Sequence, residues 1–291
     1  MAELKRLTGI SLQVDDTDSE NFENTLEQIH KISSAYREKY NKRDFLRGLM
    51  VNGLPSYDVQ ERAERLHINS EKQRVLFLLE AREITESMTE VLKNLFPSQT
   101  KVYLVPMTEH SLVLLYPVKK TEEEFSPMRT AQTLVDILNS EAMVRVQISY
   151  SAVFGALTHL PEAYQEAALA LSVGKIFYSG HTVFPYDSLG VGRLIYQLPR
   201  PLCESFLHEV FGDNVPEQLD EETSSTVRRF LENNLNIAET SRQLHMHRNT
   251  LIYRLEQIQK RTGLDLRSFD DAMTFKTAMM VMNYLHAERK H

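Results

Sequence analysis

The sequence predicts an α+β protein with more than one domain, because the spacing of its apolar residues changes along the chain. Strand-like and helix-like patterns alternate up to about residue 190, and the pattern is helical from there on. The 291 residues suggest about two domains. With 42% hydrophobic and 25% charged residues, a largely disordered or collagen-like chain is excluded. We predict an N-terminal linker or dimerisation helix over 1–45, an α/β domain over 46–190, a helical connector over 191–222 and an all-α domain over 223–291.

Charge and cysteine content restrict the partners and the compartment. The 33 Lys and Arg residues against 40 Asp and Glu residues give a net charge of −7, so affinity for nucleic acid requires a local basic surface. The single Cys203 excludes an internal disulfide and a cysteine-based zinc site, and we interpret it as a small apolar residue in a helix. The apolar runs are too short to cross a bilayer, and no secretory signal is visible. We therefore expect a cytoplasmic protein with no membrane partner.

A helix is predicted over residues 21–50, where apolar side chains recur at a and d heptad positions. Gly53 and Pro55 end the helical pattern. Fewer than three full heptads are present, so a dimerising or signal-carrying helix and a helix packed on its own domain both stay open. The stripe consists of Phe22, Leu26, Ile29, Tyr36 and Tyr40.

From residue 56 to residue 186 the patterns follow the order of one α/β layer domain. A short amphipathic helix over 56–66 precedes strand, helix, strand, strand, helix, strand, helix and strand, which predicts one sheet covered by helices. The continuous apolar run over 74–80 indicates a strand buried on both faces. The strands are predicted at 74–80, 101–106, 111–117, 144–153 and 182–186, and the later helices at 84–95, 127–138 and 161–174, the last ended by Gly174.

The C-terminal region predicts a helix-turn-helix unit. Three prolines in residues 189–222 indicate a connector of short helices, and Thr223 or Ser224 is a candidate N-cap for a helix that runs to Asn234. A short helix over 237–244, a tight connection over 245–247 and a longer helix, opened by Asn249 or Thr250 and ended by Gly263, complete the unit. The predicted apolar seam consists of Ala238, Leu244, Met246, Leu251, Leu255 and Ile258.

The polar side chains of this unit favour binding to duplex DNA. Residues 236–263 contain five cations and two anions, a local net charge of +3 on an acidic chain. Arginine and asparagine at the start of the second helix match the acceptors and donors of guanine and adenine edges, and cations at its far end suit phosphates. The alternative is a basic, solvated helix in an all-α tail. The candidate DNA-binding residues are Arg242, His247, Arg248, Asn249, Thr250, Tyr253, Arg254, Lys260 and Arg261.

The segment Leu244–Leu266 resembles the C-terminal helix-turn-helix of the PucR/CdaR family of bacterial transcriptional regulators. The resemblance rests on 247–251 (His-Arg-Asn-Thr-Leu), 253–255 (Tyr-Arg-Leu) and 262–266 (Thr-Gly-Leu-Asp-Leu), with His245 where such turns usually have glycine. It implies regulation of a catabolic operon for sugar diacids, purines or amino acids, with operator DNA as partner. It also implies a homodimer or higher homo-oligomer, whose two-fold pairing would place two recognition helices about 34 Å apart.

The α/β segment resembles the degenerate GGDEF-like domain of the same family, through residues 44–50, 62–66, 74–78 and 164–174. In diguanylate cyclases the hairpin carries a glycine pair, which lets the nucleotide approach, and carboxylates that hold Mg²⁺. Here the turn over 107–111 has no glycine and one acid, so we predict no enzyme activity, no metal site and no cofactor. A non-catalytic sensor of a nucleotide or metabolite, with a helix-turn-helix that serves assembly, remains the alternative, and a small-molecule effector fits either hypothesis.

The remaining features add one open question and three minor interpretations. About 45 residues precede the GGDEF-like region, too few for the sensor domain of such relatives, so a truncated chain and a short form both stay open. Gly190 and Gly192 are an incomplete dinucleotide fingerprint, and His245 and His247 lack a nearby carboxylate or cysteine for a metal. A last helix is predicted after Ser268, with Met273, Met279, Met280 and Met282 in its core.

Overall fold

The computed structural model describes residues 42–96, 101–118, 125–178, 180–213, 215–216 and 219–289. It divides into two compact units, one that runs to Leu171 and includes Thr182–Asp187, and one that comprises Ser172–His181 and the chain from Ser188 onward. The predicted stripe over 22–40 lies outside the described residues, whereas its continuation over 42–52 is helical. Across the described ranges, no helix combines the length and apolar character that a bilayer crossing needs. The predicted α+β class with an all-α C-terminal part is confirmed.

The first unit is a five-stranded sheet with helices, in the predicted order of elements. After α1 (42–52) and α2 (Ser56–Arg65), the order is that of a single α/β layer. The remaining elements are β1 (Arg74–Ala81), α3 (Glu86–Leu95), β2 (Tyr103–Pro106), β3 (Ser111–Pro117), α4 (Pro127–Glu141), β4 (Val146–Tyr150), α5 (Leu160–Phe177) and β5 (Val183–Pro185). The residues of α5 from Ser172 onward belong to the second unit.

Strand β1 lies at the centre of the sheet, whose strand order is β2-β3-β1-β4-β5. It pairs antiparallel with β3 and β4, so that Leu79 lies opposite both Leu112 and Ile148, and β4 pairs parallel with β5. All but one of its residues are buried, as the continuous apolar run predicts. One face forms a core with α3 and α4, in which Phe77 and Leu79 pack with Met88 and Leu134.

Three predicted ends in this unit are wrong by three residues each. Helix α4, predicted over 127–138, runs to Glu141. The strand predicted over 144–153 is limited to Val146–Tyr150, because the chain then turns so that Phe154 forms an isolated bridge with Arg74. Helix α5 passes through Gly174 and ends at Phe177. A glycine inside a helix costs only about 1 kcal/mol relative to alanine, and the apolar residues around it, including the buried Val173, favour continuation of the helix.

The second unit is all-α. Its helices are α6 (Gly190–Ile195), α7 (Arg200–Phe211), α8 (Glu221–Glu232), α9 (Ile237–Gln243), α10 (Arg248–Thr262) and α11 (Phe269–Glu288). Helices α6 and α7 pack on α11 through one apolar cluster, and α8 and α10 share a second cluster with α11. Cys203 lies in α7 with 1% of its surface exposed, as predicted, and burial raises the pKa of its thiol.

Several predicted helix starts and core positions in this unit need correction. Helix α8 is capped by Asp220, whose carboxylate accepts from the Thr223 backbone N–H at 2.7 Å, and not by Thr223 or Ser224. Helix α10 begins at Arg248 with His247 as its cap, one or two residues before the predicted Asn249 or Thr250. Met273 is 38% exposed, because the buried face of α11 runs through the preceding residue, Ala272, at helical spacing.

Candidate nucleic-acid interface

Helices α9 and α10 form a compact helix-turn-helix. Asn236 caps α9 through its side-chain oxygen, which accepts from the Glu239 N–H at 3.1 Å. The turn bends at His245, whose φ of 52° lies in the left-handed region that favours glycine. The Met246 N–H then bonds to the Ser241 carbonyl at 2.9 Å, which closes the turn before α10 begins.

The buried face of α10 fixes the helix in the domain. Leu251, Leu255 and Ile258 are buried at spacings of four and three and pack with Val227 and Phe230 of α8. The predicted seam is therefore right for the α10 residues, and Met246 is partly buried against the same cluster.

On α9 the predicted seam residue Ala238 is exposed. The buried positions of this helix are Thr240 and Ser241. The reason is the helical phase: in a helix of two turns, position 238 lies about 200° from position 240 around the axis.

The outward face of α10 carries side chains that suit a DNA groove. Asn249, Tyr253 and Lys260 follow one another at spacings of four and seven, opposite the buried leucines. Tyr253 is 60% exposed. Arg248 and Thr250 are exposed in the first turn. Among the described residues, the side chains of Arg248, Asn249 and Lys260 have no hydrogen bond or ion pair, so they are available to a ligand.

Three of the predicted cations have electrostatic partners inside the unit. Arg242 remains 78% exposed although it pairs with Glu239 at 2.6 Å, and its guanidinium lowers the pKa of that carboxyl group. Arg261 contributes to the lowered pKa of Asp220, after the larger effect of the hydrogen bonds from Thr223. Arg254 is the most enclosed: its side chain is 29% exposed and pairs with Glu222.

Both ends of α10 are capped. The Nδ1 atom of His247 accepts from the Asn249 backbone N–H at 3.3 Å, which satisfies one of the free N–H groups of the first turn. At the other end, Gly263 adopts the left-handed conformation with φ 77°, and its N–H bonds to the Gln259 carbonyl at 2.8 Å. Lys260 and Arg261 lie in the last turn, where cations interact favourably with the helix dipole.

The hairpin turn between β2 and β3 is closed by its own hydrogen bonds. The N–H groups of Met107 and Thr108 both donate to the Ser111 carbonyl, at 2.9 and 3.2 Å, and the His110 N–H donates to the Thr108 hydroxyl at 3.1 Å. Arg47 adds a bond to the Met107 carbonyl at 2.8 Å. In the described residues, no group of three or more potential metal ligands is present. This turn therefore has neither the glycines nor the acidic cluster that nucleotide and Mg²⁺ binding require.

The fold and the surface of α10 define a helix-turn-helix protein with a GGDEF-like α/β domain. Residues 224–281 match the model of the PucR C-terminal helix-turn-helix domain, and residues 52–173 match that of the GGDEF-like domain. Both domains are present in the order that the resemblance to the PucR/CdaR family implies.

Curated relatives agree with this assignment. The purine catabolism regulatory protein of Bacillus subtilis (strain 168) is 27% identical over 48% of this chain and 27% of its own length. For the DNA-binding transcriptional activator AdeR of the same organism, the identity is 25% over 66% of this chain and 47% of AdeR. The carbohydrate diacid regulator of Escherichia coli (strain K12) is 25% identical over 76% of this chain and 60% of its own length. The chain thus spans about a quarter to three fifths of the length of these relatives.

One solved structure is similar over 86% of this chain and 94% of its own, with 17% sequence identity and a TM-score of 0.43. It is the regulator of polyketide synthase expression from Bifidobacterium adolescentis.

Proposed function

We propose that the chain is a sequence-specific DNA-binding transcriptional regulator that acts in the cytoplasm. The observation that carries the proposal is the outward face of α10. Asn249 and Lys260 on this face, and Arg248 in the exposed first turn, are not engaged by other described side chains, and the opposite face of the helix is buried in the core. A rigid helix with an unpaired basic and amide face is the element that helix-turn-helix proteins place in the major groove.

The side chains divide by the part of the duplex that each suits. Arg248 and Asn249 have the donor geometry for guanine and adenine edges, and Thr250 and Tyr253 lie next to them. The remaining exposed polar residues suit phosphates, which supply affinity and salt dependence but no sequence information. These residues are Arg242, His247, Lys260 and Arg261.

The proposal includes a homodimer and a regulatory role for the GGDEF-like domain. A homodimer would present two α10 helices about 34 Å apart, one turn of DNA. The names of the relatives include purine catabolism and carbohydrate diacids, which supports control of a catabolic operon. The GGDEF-like domain would then act without catalysis, as a module for assembly or for a small-molecule effector.

The test is fluorescence anisotropy of the full chain with DNA from the promoter region of its own gene, in a salt series. The variant Arg248→Ala/Asn249→Ala is compared with Lys276→Ala/Asn283→Ala, which removes a cation and an amide from exposed positions of α11. We expect wild type and the α11 variant to prefer promoter DNA over random DNA, and the α10 variant to lose that preference. Equally poor binding by all three proteins at every salt concentration would contradict the proposal and favour a role of the helix-turn-helix in assembly.

A further inference from the structure

Arg254 is one of the candidate DNA-binding residues, but its side chain does not lie on the outward face of α10 with Tyr253 and Lys260. At about 100° per residue, it lies about 100° from Tyr253 around the helix axis and about 60° from the buried Leu251. Its guanidinium donates to the Thr226 hydroxyl at 3.1 Å and pairs with Glu222. Both partners belong to α8, 28 or more residues earlier in the chain.

The Thr226 hydroxyl makes this contact specific. Thr226 is 1% exposed, and among the described residues its hydroxyl accepts a hydrogen bond from Arg254. A buried hydroxyl without a partner is destabilising, because it has lost its hydrogen bonds to water. Glu222 is 68% exposed, and an exposed ion pair contributes little to stability. The buried bond to Thr226 is therefore the part of the contact that fixes geometry.

We infer that Arg254 is a positioning residue that sets the orientation of α10 against α8 and does not contact DNA. This inference rests on the proposed DNA-binding function. The apolar cluster shared by α8 and α10 has no directional preference, whereas a hydrogen bond from a planar guanidinium fixes distance and angle. Arg248 and Asn249 begin α10 about one and a half turns before Arg254, so a rotation of the helix would move them relative to base edges.

The decisive variant is Thr226→Val, which keeps the shape of the side chain and removes the hydroxyl. Residue 226 is buried, so an effect of Thr226→Val on DNA recognition is indirect, and its loss in the Arg254→Ala background would assign that effect to the contact with Arg254. We expect Thr226→Val and Arg254→Ala each to lower specific affinity about 3- to 10-fold, the change that one hydrogen bond of typical net strength causes. The double variant should lose no more than the larger single change.

The salt dependence separates positioning from direct contact. Full-chain variants are compared well below the unfolding transition, so that the folded protein is measured. Arg254→Ala should leave the slope of log K against log[salt] unchanged, whereas Lys260→Ala should reduce its magnitude by about 0.9, as expected for one lost phosphate contact. Arg254→Lys, which retains a donor and the charge, should recover part of the specific affinity.

Three results would overturn the inference. A slope reduced by about 0.9 in Arg254→Ala would make Arg254 a phosphate contact. Lost specificity in Arg254→Ala with no effect of Thr226→Val would make it a base contact. A lower Tm in both variants with unchanged DNA affinity of the folded protein would mean that the contact stabilises the fold and has no role in DNA recognition. If wild type itself shows no salt-dependent DNA binding, the proposed function fails. The Arg254–Thr226 contact can still be tested in that case, because a double variant that loses less Tm than the sum of the two single variants would show that the two residues interact.

Discussion

At the scale of a residue, Gly192 shows what a single missing side chain contributes. A Cβ atom at this position of α6 would lie 3.0 Å from a ring carbon of Phe177 and 3.2 Å from a methyl group of Val173. The glycine therefore permits close packing within the second unit. Gly190 and Gly192 form an incomplete nucleotide fingerprint in the sequence. In the structure Gly192 is explained by close packing, and Gly190 by its φ of 50°, which lies in the left-handed region that favours glycine.

We predict that Gly192→Ala lowers the free energy of unfolding by about 1–3 kcal/mol, the usual effect of overpacking a core. The matched control is Gly48→Ala in α1, where a Cβ would meet no atom within 4 Å and φ is not positive. Because alanine favours a helix over glycine, the control should gain up to about 1 kcal/mol. Urea unfolding of the full chain measures both changes, and equal effects of the two substitutions would disprove the packing role.

Sequence patterns predict some residue environments well and others poorly. The burial of Cys203 and the left-handed cap at Gly263 follow from local chemistry, and the structure agrees. The exposure of Ala238 and Met273 and the inward contact of Arg254 were not predictable in the same way. Their environments depend on the exact helical phase and on α8, which is distant in sequence, and neither is contained in a local pattern.

At the scale of an element, the start of α8 gives a prediction about pH. The carboxylate of Asp220 accepts hydrogen bonds from the Thr223 N–H and hydroxyl, which lower the pKa of Asp220 below its ordinary value of 3.8. A lowered pKa in the folded state means that the contribution to stability is complete above the ordinary value and is lost as the pH falls through the lowered one.

We therefore expect Asp220→Asn to have a lower Tm than wild type at pH 7, since the neutral amide lacks the favourable interaction with the helix dipole. The difference should shrink as the pH falls below about 4, because the Asp220 carboxylate is protonated first in the unfolded chain and, at still lower pH, in the folded protein. Circular dichroism melting curves at a series of pH values test this. A difference in Tm that stays constant down to pH 2 would show that charge at Asp220 does not matter.

The hairpin between β2 and β3 gives a second prediction at this scale. Its turn uses N–H groups of Met107, Thr108 and His110 internally and offers Glu109 as its acid. The full chain incubated with GTP and Mg²⁺ should give no cyclic dinucleotide when the products are separated by chromatography, under conditions in which an active diguanylate cyclase gives one. Product above the protein-free blank would contradict the prediction that the chain has no cyclase activity.

The order of elements was predictable from the sequence, and their ends were less so. Periodicity gives the order of strands and helices in the α/β unit, and the polar stretch after Pro106 gives the hairpin. The end of β4 at Tyr150 and the continuation of α5 past Gly174 depend on tertiary packing. Local propensity is a weak guide wherever packing opposes it.

At the scale of the whole molecule, charge is distributed in a way that suits a regulator of transcription. The chain carries a net charge of −7, yet residues 236–263 carry +3. The rest of the chain therefore carries a net charge of −10, from −7 minus +3, so attraction of a duplex is concentrated on α9 and α10. Attraction of this kind is strongly salt-dependent. The charge pattern and the proposed function therefore both predict that DNA affinity falls as the salt concentration rises.

The central claim, that α10 enters a DNA groove, can be tested by directed cleavage. Cys203 is the only cysteine and is buried, so a cysteine introduced at Gln257→Cys, one turn after Tyr253, can be labelled selectively with an iron chelate that cleaves nearby DNA. The matched control is Asn283→Cys, at an exposed position of α11, the helix that packs against the buried face of α10. We predict cleavage of promoter DNA by the label on α10 at two places about one helical turn apart, and none by the control label. Equal cleavage by both labels, or none by either on DNA that the protein binds, would contradict the claim that α10 is the DNA-reading helix.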